Sequence, residues 1–353
     1  MSPLQDPSDP DHQATTKRIR RSMSFAWAVC GIFLVVDLIW FPLSRATFAS
    51  ANFLNAGAGI MMLGGLHGIT LALTRRLGAD RSRMAGVILH IARSLRVLIR
   101  AAVFTVIFGF ASMTFMLLAA SAGLPFQDAQ LAAIDRSLGF DWLSFLALTN
   151  STPMLSSILV WTYHSAGPQL LLLFLLLSFT NREHRLAEFL ALLAAIALAT
   201  GALMALVPAA GAYAHFQPPR HLFANFTPNA GMWHYQFLQS LRTDVAPHFD
   251  FSKVEGLVTF PSFHTALAII TAYAVREVRH LARPALVLNS IVIVSTLPEG
   301  GHHLVDVIAG AAIAGLAIPV VRLHQAGWSL SCKRVYAKRA YASLGAAGRD
   351  HES

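Results

Sequence analysis

The sequence predicts an all-α, polytopic integral membrane protein. Three observations carry that fold class. The 353 residues are 55% hydrophobic and only 13% charged, against about a quarter charged in an ordinary soluble protein. The apolar residues fall in blocks of about the length of a membrane span. Blocks such as Leu170–Leu177 also lack the polar stripe that a soluble bundle helix would need.

Eight spans are predicted, over residues 24–43, 52–74, 99–122, 155–179, 186–208, 262–279, 281–298 and 302–322. Residues 1–23 read as a disordered, basic N-terminal tail. Residues 24–98 read as a transmembrane hairpin followed by a basic cytoplasmic linker. Residues 99–322 form a six-helix unit, and residues 323–353 a basic cytoplasmic tail. The first span is too long, and too far from the N-terminus, for a cleaved signal peptide. Cys30 and Cys332 lie in a span and in the C-terminal tail, which argues against a disulfide framework.

Charge sets the expected orientation. With the N-terminus inside, 22 of the 27 Lys/Arg residues fall on the inner side. The outer side keeps only Arg45, Arg136, Arg220, Arg242 and Lys253. Basic residues collect on the cytoplasmic side of membranes. Both termini are therefore expected in the cytoplasm, in a membrane of the bacterial inner-membrane type. The net charge of +9 reflects topology and anionic lipid heads rather than nucleic acid.

Two outer segments are too long for turns. In 124–154, Leu131, Ile134 and Leu138 share one helical face, which predicts a short amphipathic helix on the membrane surface. The segment 209–261 is rich in aromatic residues, Pro and His, and suggests a lid or substrate-selecting element.

Two short motifs carry the chemistry. One is Phe260-Pro261-Ser262-Phe263-His264-Thr265, and the other is Gly300-Gly301-His302-His303-Leu304-Val305-Asp306. Histidines and a carboxylate at the ends of apolar helices are costly to keep, which marks them as functional. With the N-terminus inside, both motifs fall on the outer face. Pro261 suits a helix start, where the N–H groups of Ser262, Phe263 and His264 and the positive dipole end would attract an anion. His302 and Asp306 are an i,i+4 pair on one face. A carboxylate on one ring nitrogen leaves the other free as a nucleophile. His303 lies i,i+3 from Asp306 and competes for the same role. His264, His302, His303 and Asp306 together also offer a possible metal-ligand set. A phosphate would need cations, and Arg242 and Lys253 are the nearest in sequence to the first motif, with Arg220 third.

At these residues the chain resembles the PAP2 superfamily of phosphatidic acid phosphatase-like membrane enzymes. It is most similar to the branch holding inositol phosphorylceramide and sphingomyelin synthases. Pro261-Ser262-x-His264 matches the family's second motif, and His302-x-x-x-Asp306 its third. The resemblance implies that His302 forms a phosphohistidine, that Asp306 orients it, and that His264 serves as acid and then base. Ser262, Phe263 and the adjoining backbone would hold the phosphate. The four-residue spacing to the aspartate selects His302 over His303. No metal or other cofactor is implied, and the partners implied are a lipid phosphate substrate and the bilayer. The family's first motif is absent, and Thr296 stands where its third motif carries arginine. That departure favours a head-group transferase alongside a phosphatase. A transporter with a proton-relaying His/Asp cluster is the remaining alternative from a different class.

Overall fold

The computed structural model describes residues 10–254 and 256–327. Thirteen α-helices follow one another among them, with a single two-residue pair of parallel strands. In chain order the long ones are α1 (Pro10–Trp40), α2 (Ser50–Leu77) and α3 (Arg83–Ser121). Next come α4 (Asp128–Ser137), α5 (Trp142–Asn150), α6 (Pro153–His164), α7 (Ala166–Phe179) and α8 (Glu183–Leu206). The chain continues through α9 (Ala212–Phe216), α10 (Tyr235–Thr243), α11 (Phe263–Ala274), α12 (Arg279–Ser295) and α13 (Leu304–Ala326). The protein is thus an all-α polytopic membrane protein, as its composition predicts.

A helix stands at each of the eight predicted spans, but they are not equal. Five of them, α1, α2, α3, α8 and α13, are long and apolar enough to cross a membrane alone. α5 and α6 bend by 108° at a short break, as in a broken span or a re-entrant loop. The predicted span 155–179 is divided at Ser165 into α6 and α7. Pro168, in the first turn of α7, has no N–H for the carbonyl of His164, which explains the break there. α11 is only 12 residues. It stops where Arg276, Glu277 and Arg279 replace the apolar run of 262–275.

α8 is the central helix, and packs on α1, α3, α7, α11 and α13. Its small residues Ala187, Ala191, Ala194 and Ala197 are buried and allow close approach of its neighbours. The opposite end of α8 from the motifs is tied by ions. Arg185 holds Glu188 at 2.7 Å, and Arg276 holds the same carboxylate at 2.9 Å.

Three predicted boundaries change. Residues 10–23 are the first turns of α1 rather than a disordered tail; residues 1–9 lie outside the described residues. The N-terminal hairpin is split in its packing. α1 joins the main bundle against α8, α3 and α13, while α2 packs chiefly on α3. At the C-terminus α13 runs to Ala326, and residues 328–353, Cys332 among them, lie outside the described residues.

The long segment 209–261 also divides. Its first part, with α9 and α10, covers the end of the bundle where α11 and α13 begin. Its second part runs to the junction of α1 and α2. There Thr47–Phe48 (β1) pairs with His248–Phe249 (β2), and Asn52 bonds both the Phe249 carbonyl and the Phe251 N–H.

Candidate active site

The two motifs meet. The Ser262 N–H donates to the Asp306 carbonyl at 3.0 Å, which joins the start of α11 to the first turn of α13. Gly310 permits that contact. A Cβ at Gly310 would stand 2.3 Å from the Ser262 carbonyl oxygen, so any other residue would push the two helices apart.

His302 and Asp306 form the pair that their spacing predicts. His302 Nδ1 lies 3.3 Å from Asp306 Oδ2, and both residues are buried. The same Oδ2 accepts the His303 N–H at 2.9 Å, so Asp306 both caps α13 and steers His302. No hydrogen bond among the described residues engages His302 Nε2. Trp142 Nε1–H donates to the His302 carbonyl, and the His302 N–H donates to the Thr296 carbonyl. The residue is therefore fixed by its backbone as well as by its ring.

His303, the competing histidine, is buried between two carboxylates. Its Nε2 lies 3.5 Å from Asp128 and its Nδ1 3.5 Å from Asp135. Burial by itself would lower its pKa, but Asp128 and Asp135 raise it from 6.5 to about 9. A histidine held charged between two acids is a poor nucleophile. Burial would raise the Asp128 carboxyl, but His303 and the N–H groups of Ala210 and Gly211 hold it below the ordinary carboxylate range. Asp135 accepts the N–H groups of Leu304 and Val305, both at 2.9 Å.

These two aspartates correct the reading of α4. The helix forms, but it does not simply lay Leu131, Ile134 and Leu138 on a membrane. Ile134 and Leu138 are exposed, and the buried face is Asp128, Leu131, Ala132 and Asp135. The i,i+7 spacing of the two acids on the face of Leu131 was the available signal.

His264 stands in the first turn of α11 with its ring stacked on Tyr163, centroids 4.8 Å apart. Gly300 lies close to both Tyr163 and His302. A Cβ there would meet Tyr163 at 2.9 Å and His302 at 3.2 Å. Ser262 is fully buried, and its hydroxyl caps α11 by accepting from the Thr265 N–H and hydroxyl. With the Ser262 N–H committed to Asp306, the N–H groups of Phe263 and His264 are those left without a partner among the described residues.

The predicted cations make their hydrogen bonds and ion pairs elsewhere. Arg242 donates to the Leu124 carbonyl and lies over the Phe126 ring. Lys253 is exposed beside Asp250, near the β1–β2 pair. Arg220 donates to the carbonyls of Phe223, Ala224, Phe226 and Thr227 and folds its own loop. No hydrogen bond or ion pair among the described residues ties any of the three to the histidines.

Two further residues enter that spacing did not reveal. Glu299, fully buried, accepts from the Thr227 hydroxyl at 2.6 Å and meets His164 Nε2 at 3.1 Å. A carboxylate between Pro298 and Gly300 reads as a turn acid, but its place in an apolar chain was a signal. His164 ends α6 and is remote in sequence from both motifs. The loop closes over this turn. The Gly231 N–H donates to the Glu299 carbonyl at 2.7 Å, and the Ala212 N–H to the Gly301 carbonyl at 2.8 Å. Gly301 and Gly231 face each other with φ of 72° and 62°, and a Cβ on Gly301 would stand 2.6 Å from the Gly231 Cα. His234, buried with Nε2 on the Ala210 carbonyl, is lowered by that burial to about 4 and stays neutral. Among the described residues, no three histidine, cysteine or carboxylate side chains are placed to share a metal ion.

Fold and site together define an integral membrane protein with a buried His/Asp cluster where two apolar helices begin. Residues 129–320 match the family model of the PAP2 superfamily, and the chain belongs to that superfamily. No curated protein and no solved structure matches the chain significantly.

Proposed function

We propose that this protein transfers a phosphoryl-bearing group from a lipid phosphate ester through a phosphohistidine on His302. The observation that carries the proposal is the buried His302–Asp306 pair with Nε2 unengaged, on a helix start bonded to that of α11, where two N–H groups are unpaired among the described residues. PAP2 membership supports the phosphatase or phosphotransferase class.

In the first step His302 Nε2 attacks phosphorus, and the bond from phosphorus to the leaving oxygen breaks. Asp306 holds Nδ1–H and balances the charge that develops on the ring. His264 gives its proton to the leaving oxygen. In the second step neutral His264 takes a proton from water or from an alcohol, whose oxygen attacks phosphorus and releases His302. The N–H groups of Phe263 and His264 hold the phosphoryl oxygens as charge builds on them.

The outer membrane face is the side we assign to the reaction, from the charge asymmetry of the loops. α11 spans about 18 Å at 1.5 Å per residue, less than the roughly 30 Å hydrocarbon thickness. Arg276 and Arg279 mark its far end as an interface, so the histidines lie below the opposite surface, within lateral reach of a lipid. Thr296 in place of an arginine, together with cations committed elsewhere, favours an alcohol acceptor of the inositol phosphorylceramide or sphingomyelin synthase type over water.

Purified wild type and His302→Ala, given phosphatidic acid, a polyprenyl diphosphate or phosphatidylinositol in detergent, test this reading. Wild type is expected to turn over one donor, and His302→Ala none. Free phosphate as product identifies a phosphatase, and head-group transfer to an added alcohol a transferase. Full turnover by His302→Ala overturns the proposal.

A further inference from the structure

We infer that His164, anchored by Glu299, is the cationic arm that binds a phosphoryl oxygen of the substrate. The inference deepens the proposed phosphoryl transfer and rests on it.

A phosphoryl group carries negative charge that backbone N–H groups alone do not neutralise. The basic side chains expected to do so are occupied. Arg242 is bonded to Leu124, Lys253 sits by Asp250, and Arg220 folds its own loop. His303 is charged but sealed between Asp128 and Asp135, with no exposure. His234 is neutral and bonded to a carbonyl. His164 differs from all of these. Its side chain is 46% exposed, yet one edge is fixed, with Nε2 3.1 Å from Glu299 Oε1.

Glu299 is the reason that edge is fixed. Its carboxylate is fully buried, and its other partners are the Thr227 hydroxyl and N–H, which bring no charge. A buried carboxylate needs a cation to balance it. With Nε2–H on Glu299, a second proton on Nδ1 makes the ring a cation and gives it a second donor. No hydrogen bond among the described residues uses that Nδ1.

The position is right for substrate. His164 follows Tyr163, whose ring stacks on His264 and, like the His302 ring, lies close to Gly300. Glu299 is three residues before His302 and is fixed through its carbonyl by Gly231. Trp233 stands edge-on to His164 at 5.7 Å, and its indole N–H is buried with no partner. An unused donor beside an unused ring nitrogen points to an anionic ligand bound between them.

Orthovanadate, a phosphate mimic, tests the inference by calorimetric titration of the purified full-length protein in detergent. His164→Gln keeps a donor for Glu299 and the fold, and loses the charge. It is expected to bind vanadate on the order of tenfold or more weakly than wild type, with an unchanged thermal midpoint. His164→Arg restores the charge and is expected to bind within about threefold of wild type. Glu299→Gln, which frees the ring, is expected to weaken binding as His164→Gln does. Vanadate binding that requires His302 but ignores His164→Gln overturns this inference alone. Loss in His164→Gln with no recovery in His164→Arg also overturns it, because a cation is then not what the site needs. Binding that ignores both His302→Ala and His164→Gln overturns the phosphoryl-transfer reading as well.

Discussion

α11 and α13 begin side by side at one end of the bundle, and their first turns are finished in opposite ways. The start of α13 is filled by the chain itself: Asp135 takes the N–H groups of Leu304 and Val305, and Asp306 takes that of His303. The start of α11 is left open at Phe263 and His264, with only Thr265 capped by Ser262. Both starts carry the positive end of a helix dipole. One spends that field on its own carboxylates and so fixes a histidine. The other keeps it for something else. In the phosphoryl transfer we propose, a nucleophile has to be rigid and an anion has to be admitted, and the two helix starts would divide those needs.

The comparison can be broken at its strongest point by Asp306→Asn. This change keeps the volume and removes the charge that steers His302 Nδ1. Lipid-phosphate turnover is expected to fall on the order of a thousandfold. Gly310→Ala attacks the junction between the two starts. The added Cβ meets the Ser262 carbonyl at 2.3 Å, and separating α11 from α13 is expected to cost up to about a hundredfold in turnover.

Asp135→Ala empties the filled start. It strands two N–H groups and one carboxylate contact of charged His303. Stability is expected to fall by about 3 kcal/mol, read as a lower thermal midpoint in detergent. No comparable loss is expected from changes at exposed residues of 209–261.

The charge on His303 sets a pH dependence. Its folded pKa, about 9, lies above its ordinary 6.5. The stabilisation it brings is complete below about 6.5 and disappears as pH rises through about 9. The thermal midpoint of wild type is expected to fall across that window, and that of His303→Gln to stay flat across it. The smallest effect belongs to Lys253→Ala. Its pair with Asp250 is exposed and screened by solvent, and turnover is expected to change by less than about twofold.

Much of this was readable from the chain. Apolar blocks locate the helices because hydrocarbon length is fixed, and the four-residue spacing of His302 and Asp306 places them on one helical face whatever surrounds them. What local pattern cannot carry is the partner across space. The apolar residues of α4 point to a surface helix, yet its acids turn inward because Leu304, Val305, Ala210 and Gly211 bring N–H groups to them. Glu299 and His164 are 135 residues apart, and nothing in either neighbourhood names the other. Arg242 and Lys253 are near Ser262 in sequence, which does not place them near it in space. The pairing of β1 with β2 then carries the end of that loop, with Lys253, to the α1–α2 junction.

The proposed function rests on the division between the two helix starts, and assigns phosphorus to His302 rather than to its neighbour His303 or to His264. The most direct measurement traps the intermediate. A donor lipid labelled in its phosphate is mixed with purified protein, the reaction is quenched in alkali, where phosphohistidine survives, and the label is mapped by peptide mass spectrometry. The account predicts label on His302, with none in His302→Ala and label retained in His303→Gln. Label on His303 or His264, or turnover without any labelled histidine, would contradict it.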